Sequence, residues 1–186
     1  MLDKTRVDYI PVLDFAKYVN GNSSEKEVFA SDLKWIQEKI GFYYLVNHGV
    51  DEVLISAAIK QIEKLHSLPI EEKLKLKVDE NAAGYVPIKS TIYVTSDVAK
   101  NDKYDLNENY RIIRDRESDH PSILAGRRYT GPNKWPNSKL LPSFKKTMLE
   151  FFSAMETLGY SLLPLYASAL GLRADYFDKY FTDPMW

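Results

Sequence analysis

Between Phe144 and Ala169, apolar side chains return at positions 144, 148, 151, 155, 158, 162, 166 and 169. Steps of three and four residues over more than seven turns define one helical stripe. The stripe commits this part of the chain to a long helix whose aromatic and aliphatic side chains are core. Gly171 stands where such a helix ends in a left-handed residue. Pro164 lies inside the run, which predicts a kink or two helices end to end. Residues 175–181 predict a short further helix closed by Pro184.

Upstream the pattern is mixed. Residues 9–15 are short and apolar and carry Pro11, which suits an edge strand or a strand start. Gly21-Asn22-Ser23 breaks that pattern, and Ser24 with Glu27 reads as a capping box. Phe29, Leu33, Ile36 and Ile40 then mark one face of a helix, which Gly41 is placed to stop. Residues 42–47 have strand character, and their lack of clean alternation predicts burial on both faces. Asn47-His48-Gly49 is turn chemistry, and Asp51 caps a second helix lined by Leu54, Ala58, Ile62 and Leu65. Pro69 suits the first turn of a short helix over 70–76. In the less regular middle, 84–87 predicts a turn and 91–95 and 110–114 predict strands. His120-Pro121, Thr130-Gly131-Pro132-Asn133 and Trp135-Pro136-Asn137 mark a loop.

The charge balance narrows the function. Lys and Arg number 25 against 26 Asp and Glu, so no charge excess exists to drive a nucleic-acid arm or an anionic tail. Apolar residues at 45% and charged residues at 27% are those of a folded globular chain. With no cysteine, disulfides, thiolate metal sites and a cysteine nucleophile are excluded. Charges at Asp3, Lys4, Arg6 and Asp8 stand where a signal peptide needs its apolar stretch. No run approaches the roughly 20 apolar residues of a membrane span. The expectation is a cytoplasmic protein.

Any metal would have to be held by the three histidines and the carboxylates, and no histidine has metal spacing: His48 is followed by Gly49-Val50, His66 by Ser67-Leu68 and His120 by Pro121-Ser122. They read as a turn residue, a helix-end residue and a loop residue. Nucleotide, EF-hand, zinc-protease and nucleophile-elbow motifs are missing too. No catalytic residue and no metal ligand is therefore assigned. Arg111 and Arg114 lie near Asn107, Glu108 and Tyr110 in a predicted strand. Such a strand either grips a substrate carboxylate by bidentate hydrogen bonds or is an exposed face carrying solvated charge. Arg127-Arg128-Tyr129, in a loop, reads more readily as solvated charge.

Together these segments resemble the N-terminal half of the isopenicillin N synthase-like iron(II)/2-oxoglutarate-dependent oxygenases. The landmarks are Ile10-Pro11-Val12-Leu13-Asp14-Phe15 and Gly41-Phe42-Tyr43-Tyr44-Leu45-Val46-Asn47-His48-Gly49-Val50. Leu68-Pro69-Ile70-Glu71-Glu72-Lys73, Gly84-Tyr85-Val86-Pro87, Asn107-Glu108, Pro132-Asn133-Lys134-Trp135-Pro136 and Ala169-Leu170-Gly171-Leu172 follow in order. The resemblance implies an α+β fold: a helix-rich N-terminal region flanking a double-stranded β-helix, or jelly roll, whose C-terminal half is absent from this chain. It implies a division into an α/β region over 1–136 and a helical segment over 137–186 leading into that barrel. In the complete family member, iron(II) and 2-oxoglutarate activate dioxygen to hydroxylate, desaturate or cyclise a small molecule. The family's His-x-Asp, distal His and Arg-x-Ser belong to the half that is missing, so this chain alone is expected to bind neither cofactor and to be inactive. His48 is not one of those ligands. Tyr93, Asn107 and Arg111 are the substrate contacts implied. The expected partners are the small-molecule substrate and the missing oxygenase half or a partner chain, with no nucleic acid and no membrane. A stand-alone binding or scaffold protein derived from this family is the alternative.

Overall fold

A computed structural model describes residues 2–92, 98 and 102–184. In chain order the elements are β1 (Val12–Asp14), α1 (Phe15–Asn20), α2 (Ser23–Lys39), β2 (Tyr44–Val46), α3 (Glu52–His66), α4 (Ile70–Leu74), β3 (Gly84–Val86), β4 (Asn109–Arg111), α5 (Pro121–Leu124) and α6 (Phe144–Ala169), followed by a 3₁₀ turn at Asp178–Tyr180. The chain divides into two compact units, Met1–Ile55 with Glu150–Thr182, and Ser56–Leu149 with Asp183–Trp186.

In the first unit β1 pairs in parallel with β2, Val12 opposite Tyr44 and Asp14 opposite Val46. Parallel strands need a crossover of a dozen or more residues, which α1 and α2 supply. The inner face packs into a core of Leu13, Phe15, Phe29, Ala30, Leu33, Ile36, Leu165 and Ala169, with Tyr43 and Leu45 against it. Leu33 and Ile36 are fully buried, each contributing about 1.5–3 kcal/mol of hydrophobic stabilisation. Tyr43 and Tyr166 join their hydroxyls at 3.0 Å beside this core. Expected burial on both faces of 42–47 is corrected. The strand is three residues long, and Phe42 and Tyr44 are 69% and 60% exposed. Among the described residues only one face of the ribbon meets helices.

The α2 cap also differs from the sequence reading. The box is built by Asn22, whose Oδ1 accepts from the Glu25 backbone at 3.0 Å while Glu25 Oε2 accepts from the Asn22 backbone at 2.8 Å, two residues before the Ser24/Glu27 pair. At the other end Gly41 takes φ +86° and donates to the Ile36 carbonyl at 2.8 Å, as expected of a helix stop. Phe15 begins a short helix that the strand pattern of 9–15 hid. α6 is one helix of 26 residues with Pro164 inside it, not two end to end. Gly171, at φ +74°, follows it. The helix expected over 175–181 is reduced to the 3₁₀ turn, with the Tyr176 ring edge-on to Phe177 and tilted against Tyr180.

In the second unit, the turn expected over 84–87 is instead a buried strand, Gly84–Val86, followed by Pro87. β3 pairs antiparallel with β4, Gly84 opposite Arg111 and Val86 opposite Asn109. Its other edge is held at Tyr85, whose N–H donates to the Leu76 carbonyl at 2.7 Å. Gly84 has φ +117°, and a Cβ there would lie 2.3 Å from the Leu76 oxygen, so only glycine fits. At the end of the first unit's opening segment, Asp51 caps α3 as expected, accepting from the Val53 N–H at 2.8 Å. α4 ends at Leu74, with Pro69 as its N-cap. The strand expected over 91–95 lies mainly outside the described residues.

One polar cluster ties these pieces together. Lys73, 8% exposed, donates to the His66 carbonyl at 3.0 Å and to Glu108 Oε2 at 3.1 Å. It also lies 5.4 Å from the centre of the Tyr85 ring. The Tyr85 hydroxyl donates to the same Glu108 oxygen. A buried ammonium needs this set of acceptors, because an unpaired one is expensive to bury. The bond from Tyr85, and then the charge and bond of Lys73, hold the Glu108 carboxyl below its usual range. Burial, and then the bond to Glu108, push the Tyr85 phenol up to about 12. Among the described residues no helix is long and apolar enough to cross a membrane.

Two outcomes follow. Asn22→Ala should cost about 1 kcal/mol in denaturant unfolding, and Ser24→Ala close to nothing; equal losses would return the cap to Ser24. Because the folded-state pKa of Glu108 is depressed, its contribution to stability is present above the ordinary carboxylate range and is lost as pH falls through the folded value. Melting temperature measured against pH should therefore drop below about pH 4 less steeply in Glu108→Gln than in the parent. An identical acid limb would contradict the network.

Candidate functional site

The β3–β4 ribbon carries two of the polar residues that the sequence points to, Tyr110 and Arg111. Alternation along a strand sends Tyr110 to one face and Asn109 and Arg111 to the other. Tyr110 turns inward: its hydroxyl donates to the Lys134 carbonyl, and its ring meets Phe144 edge-on at 5.4 Å. Burial raises its pKa well above the usual phenol value. Arg111 takes the opposite face, where its Nε–H donates to Asn109 Oδ1 at 3.2 Å. Both side chains are half-buried.

Of the three predicted contacts, Arg111 thus has a defined seat. Asn107 lies exposed two residues ahead of β4 rather than within it. Tyr93 lies outside the described residues. Asn109 was missed, although the signal was present: in a strand, the residue two before a candidate arginine shares its face.

Arg114 and Arg116 grip the segment after the 3₁₀ turn. Arg116 Nη2 donates to Asp183 Oδ1 at 2.7 Å and to the Pro184 carbonyl at 3.0 Å, Arg114 Nε to that carbonyl at 3.1 Å, and Ser122 Oγ to Asp183 Oδ2 at 3.0 Å. Arg116, and then Ser122, keep the Asp183 carboxyl below its ordinary pKa. The cleft beside them, about 530 Å³, is walled by Asp115, Glu117, Asp119 and Asp183 as well as the two arginines. That wall is poorly suited to an anion. A larger cleft of about 970 Å³ lies along β1, α1 and α2. Arg127 and Arg128 are exposed in their loop, Arg128 over the Tyr129 ring at 5.0 Å.

The histidines are engaged locally. Nδ1 of His48 accepts from the Val50 N–H, and Nδ1 of His120 from the Ser122 N–H, each at 3.2 Å. Nδ1 of His66 lies 3.1 Å from the Ile62 carbonyl, which can only accept, so this nitrogen carries the proton. The His66 Nε2 is buried without a partner. No three His, Asp or Glu side chains converge among the described residues in a group able to hold a metal ion. The described residues do not fit an iron(II) centre.

Comparison with known proteins follows the same lines. Kihadalactone A synthase from Citrus sinensis is 32% identical over 150 residues, covering 81% of this chain and 43% of its own length. A 2-oxoglutarate-dependent dioxygenase from Dothideomycetidae sp. (strain 11243) is 29% identical over 176 residues, covering 94% and 45%. Among solved structures, a full-length Neurospora crassa protein in complex with alpha-KG superposes with a TM-score of 0.72 at 29% identity, over 91% of this chain and 50% of that one. The chain spans about half the length of the curated relatives it matches. Several of its relatives are 2-oxoglutarate-dependent dioxygenases, and residues 10–138 match the family described as non-haem dioxygenase in morphine synthesis, N-terminal. The chain belongs to that family of non-haem dioxygenase N-terminal regions.

Proposed function

We propose that this chain is the N-terminal part of a non-haem iron(II)/2-oxoglutarate-dependent oxygenase acting on a small molecule, with the metal and 2-oxoglutarate ligands supplied by a barrel-forming region outside these residues. The observation that carries the reading is the exposed face of the β1–β2 ribbon. Ile10, Val12, Phe42, Tyr44 and Val46 are all large and apolar, and each is at least 40% exposed. Parallel strands are stable when both faces are covered, and a two-stranded sheet is marginal by itself. A jelly-roll sheet packed on this ribbon satisfies both requirements. Within this reading residues 1–136 form the flanking α/β region, and 137–186 the helical segment that leads into the barrel.

When bound in the complete protein, iron(II) and 2-oxoglutarate supply the oxidising chemistry of hydroxylation, desaturation or cyclisation. The role of this chain is to position the substrate, with Arg111, Asn107 and Tyr93 as its contacts and the cytoplasm as its setting. The 186 residues alone are inactive in this account, since none of the three histidines begins a His-x-Asp pair.

The test is iron(II)-dependent conversion of 2-oxoglutarate to succinate, measured on the 186-residue chain and on the polypeptide at the length its source cell makes. Turnover in the second and none in the first is expected. Turnover by the 186 residues alone would overturn the division of labour. None in either would favour a binding or scaffold protein.

A further inference from the structure

Arg111 and Asn109 do more than share a face of β4. Asn109 Oδ1 can only accept, so its 3.2 Å bond fixes the Nε–H of Arg111 and with it the plane of the guanidinium. The terminal nitrogens Nη1 and Nη2 have no partner among the described residues, and no carboxylate is paired with them. Directly across the ladder stands Gly84, which has no side chain to compete for that edge.

Other arginines of the chain show the alternatives. Arg6, Arg116 and Arg173 are paired with Asp8, Asp183 and Asp175. Arg127 is exposed, with no neighbour among the described residues holding its guanidinium. Arg111 is half-buried, oriented from one side and open on the other. A merely solvated charge needs no such orienting acceptor, and the open Nη1–Nη2 edge matches the two oxygens of a carboxylate.

We propose that Asn109 is a positioning residue that presents the Nη1–Nη2 edge of Arg111 to the carboxylate of a small organic acid, which is the substrate class of this site. The inference rests on the oxygenase reading for the word substrate, but its binding chemistry is independent of turnover.

The probes are phenylacetate and its neutral counterpart phenylacetamide, titrated into ¹⁵N-labelled protein at the length the source cell makes. The Arg111 Nε–H signal is assigned by its loss in Arg111→Gln. Phenylacetate should move that signal and bind about tenfold more tightly than the amide. Arg111→Gln should abolish the preference. Asn109→Ala should reduce it about threefold or more with the melting temperature unchanged, a separation that a purely structural role would not produce. Arg111→Lys keeps the charge and lacks the planar fork; it should lose most of the preference, and it decides the matter if Asn109→Ala does not fold.

Equal response to acid and amide, or an undiminished preference in both Asn109→Ala and Arg111→Lys, would overturn the proposal. Acid preference in a protein without 2-oxoglutarate turnover would keep the site and remove the oxygenase reading. Turnover in a protein with no acid preference would do the reverse.

Discussion

The parallel pairing of Val12, Leu13 and Asp14 with Tyr44, Leu45 and Val46 organises the first unit. It requires the α1–α2 crossover, and that crossover carries the Phe29, Leu33 and Ile36 face into the core. Leu13, Tyr43 and Leu45 meet those helices from the ribbon's inner face. The outer face keeps its apolar side chains in water. Apolar residues scattered singly over a surface are ordinary, but five on and beside one short ribbon form a patch of the kind that marks an interaction surface. In the reading proposed above, a sheet of the barrel-forming region covers that patch.

In the second unit the corresponding constraint is electrostatic. Lys73 is buried only because Glu108, the His66 carbonyl and the Tyr85 ring surround it. Glu108 directly precedes β4, so anchoring its carboxylate also sets where Asn109 and Arg111 begin. Gly84 contributes from the other strand by letting β3 approach the Leu76 carbonyl. The candidate site is thus held by residues that never face it. Second-layer support of this sort is what a binding guanidinium needs if its direction is to matter.

Much of this was legible in the sequence. α2, α3 and α6 announced themselves through helical periodicity, which depends only on local spacing. Spacing alone puts the α2 cap two residues too late, because Asn22/Glu25 and Ser24/Glu27 share the same spacing and neighbouring residues cannot tell which pair is used. β3 reads as a turn in the sequence because it opens on Gly84 and is followed by Pro87. Its strand character comes from partners at Leu76 and Tyr110, which no local window contains. The exposure of Phe42 and Tyr44 was unreadable for the same reason: burial on both faces describes a complete sheet, and here one face has no helix on it. At the site, Arg111 was visible as a charged residue in a strand. The roles of Asn109 and Lys73 needed the fold, since each is defined by a contact.

The central claim is that a barrel-forming region completes this chain. Intact mass of the polypeptide made by the source cell tests it most directly. The account predicts roughly twice the 21.5 kDa of the 186 residues, since the chain spans about half of the relatives it matches. A mass of 21.5 kDa, with the β1–β2 face uncovered and no second chain bound, would contradict it.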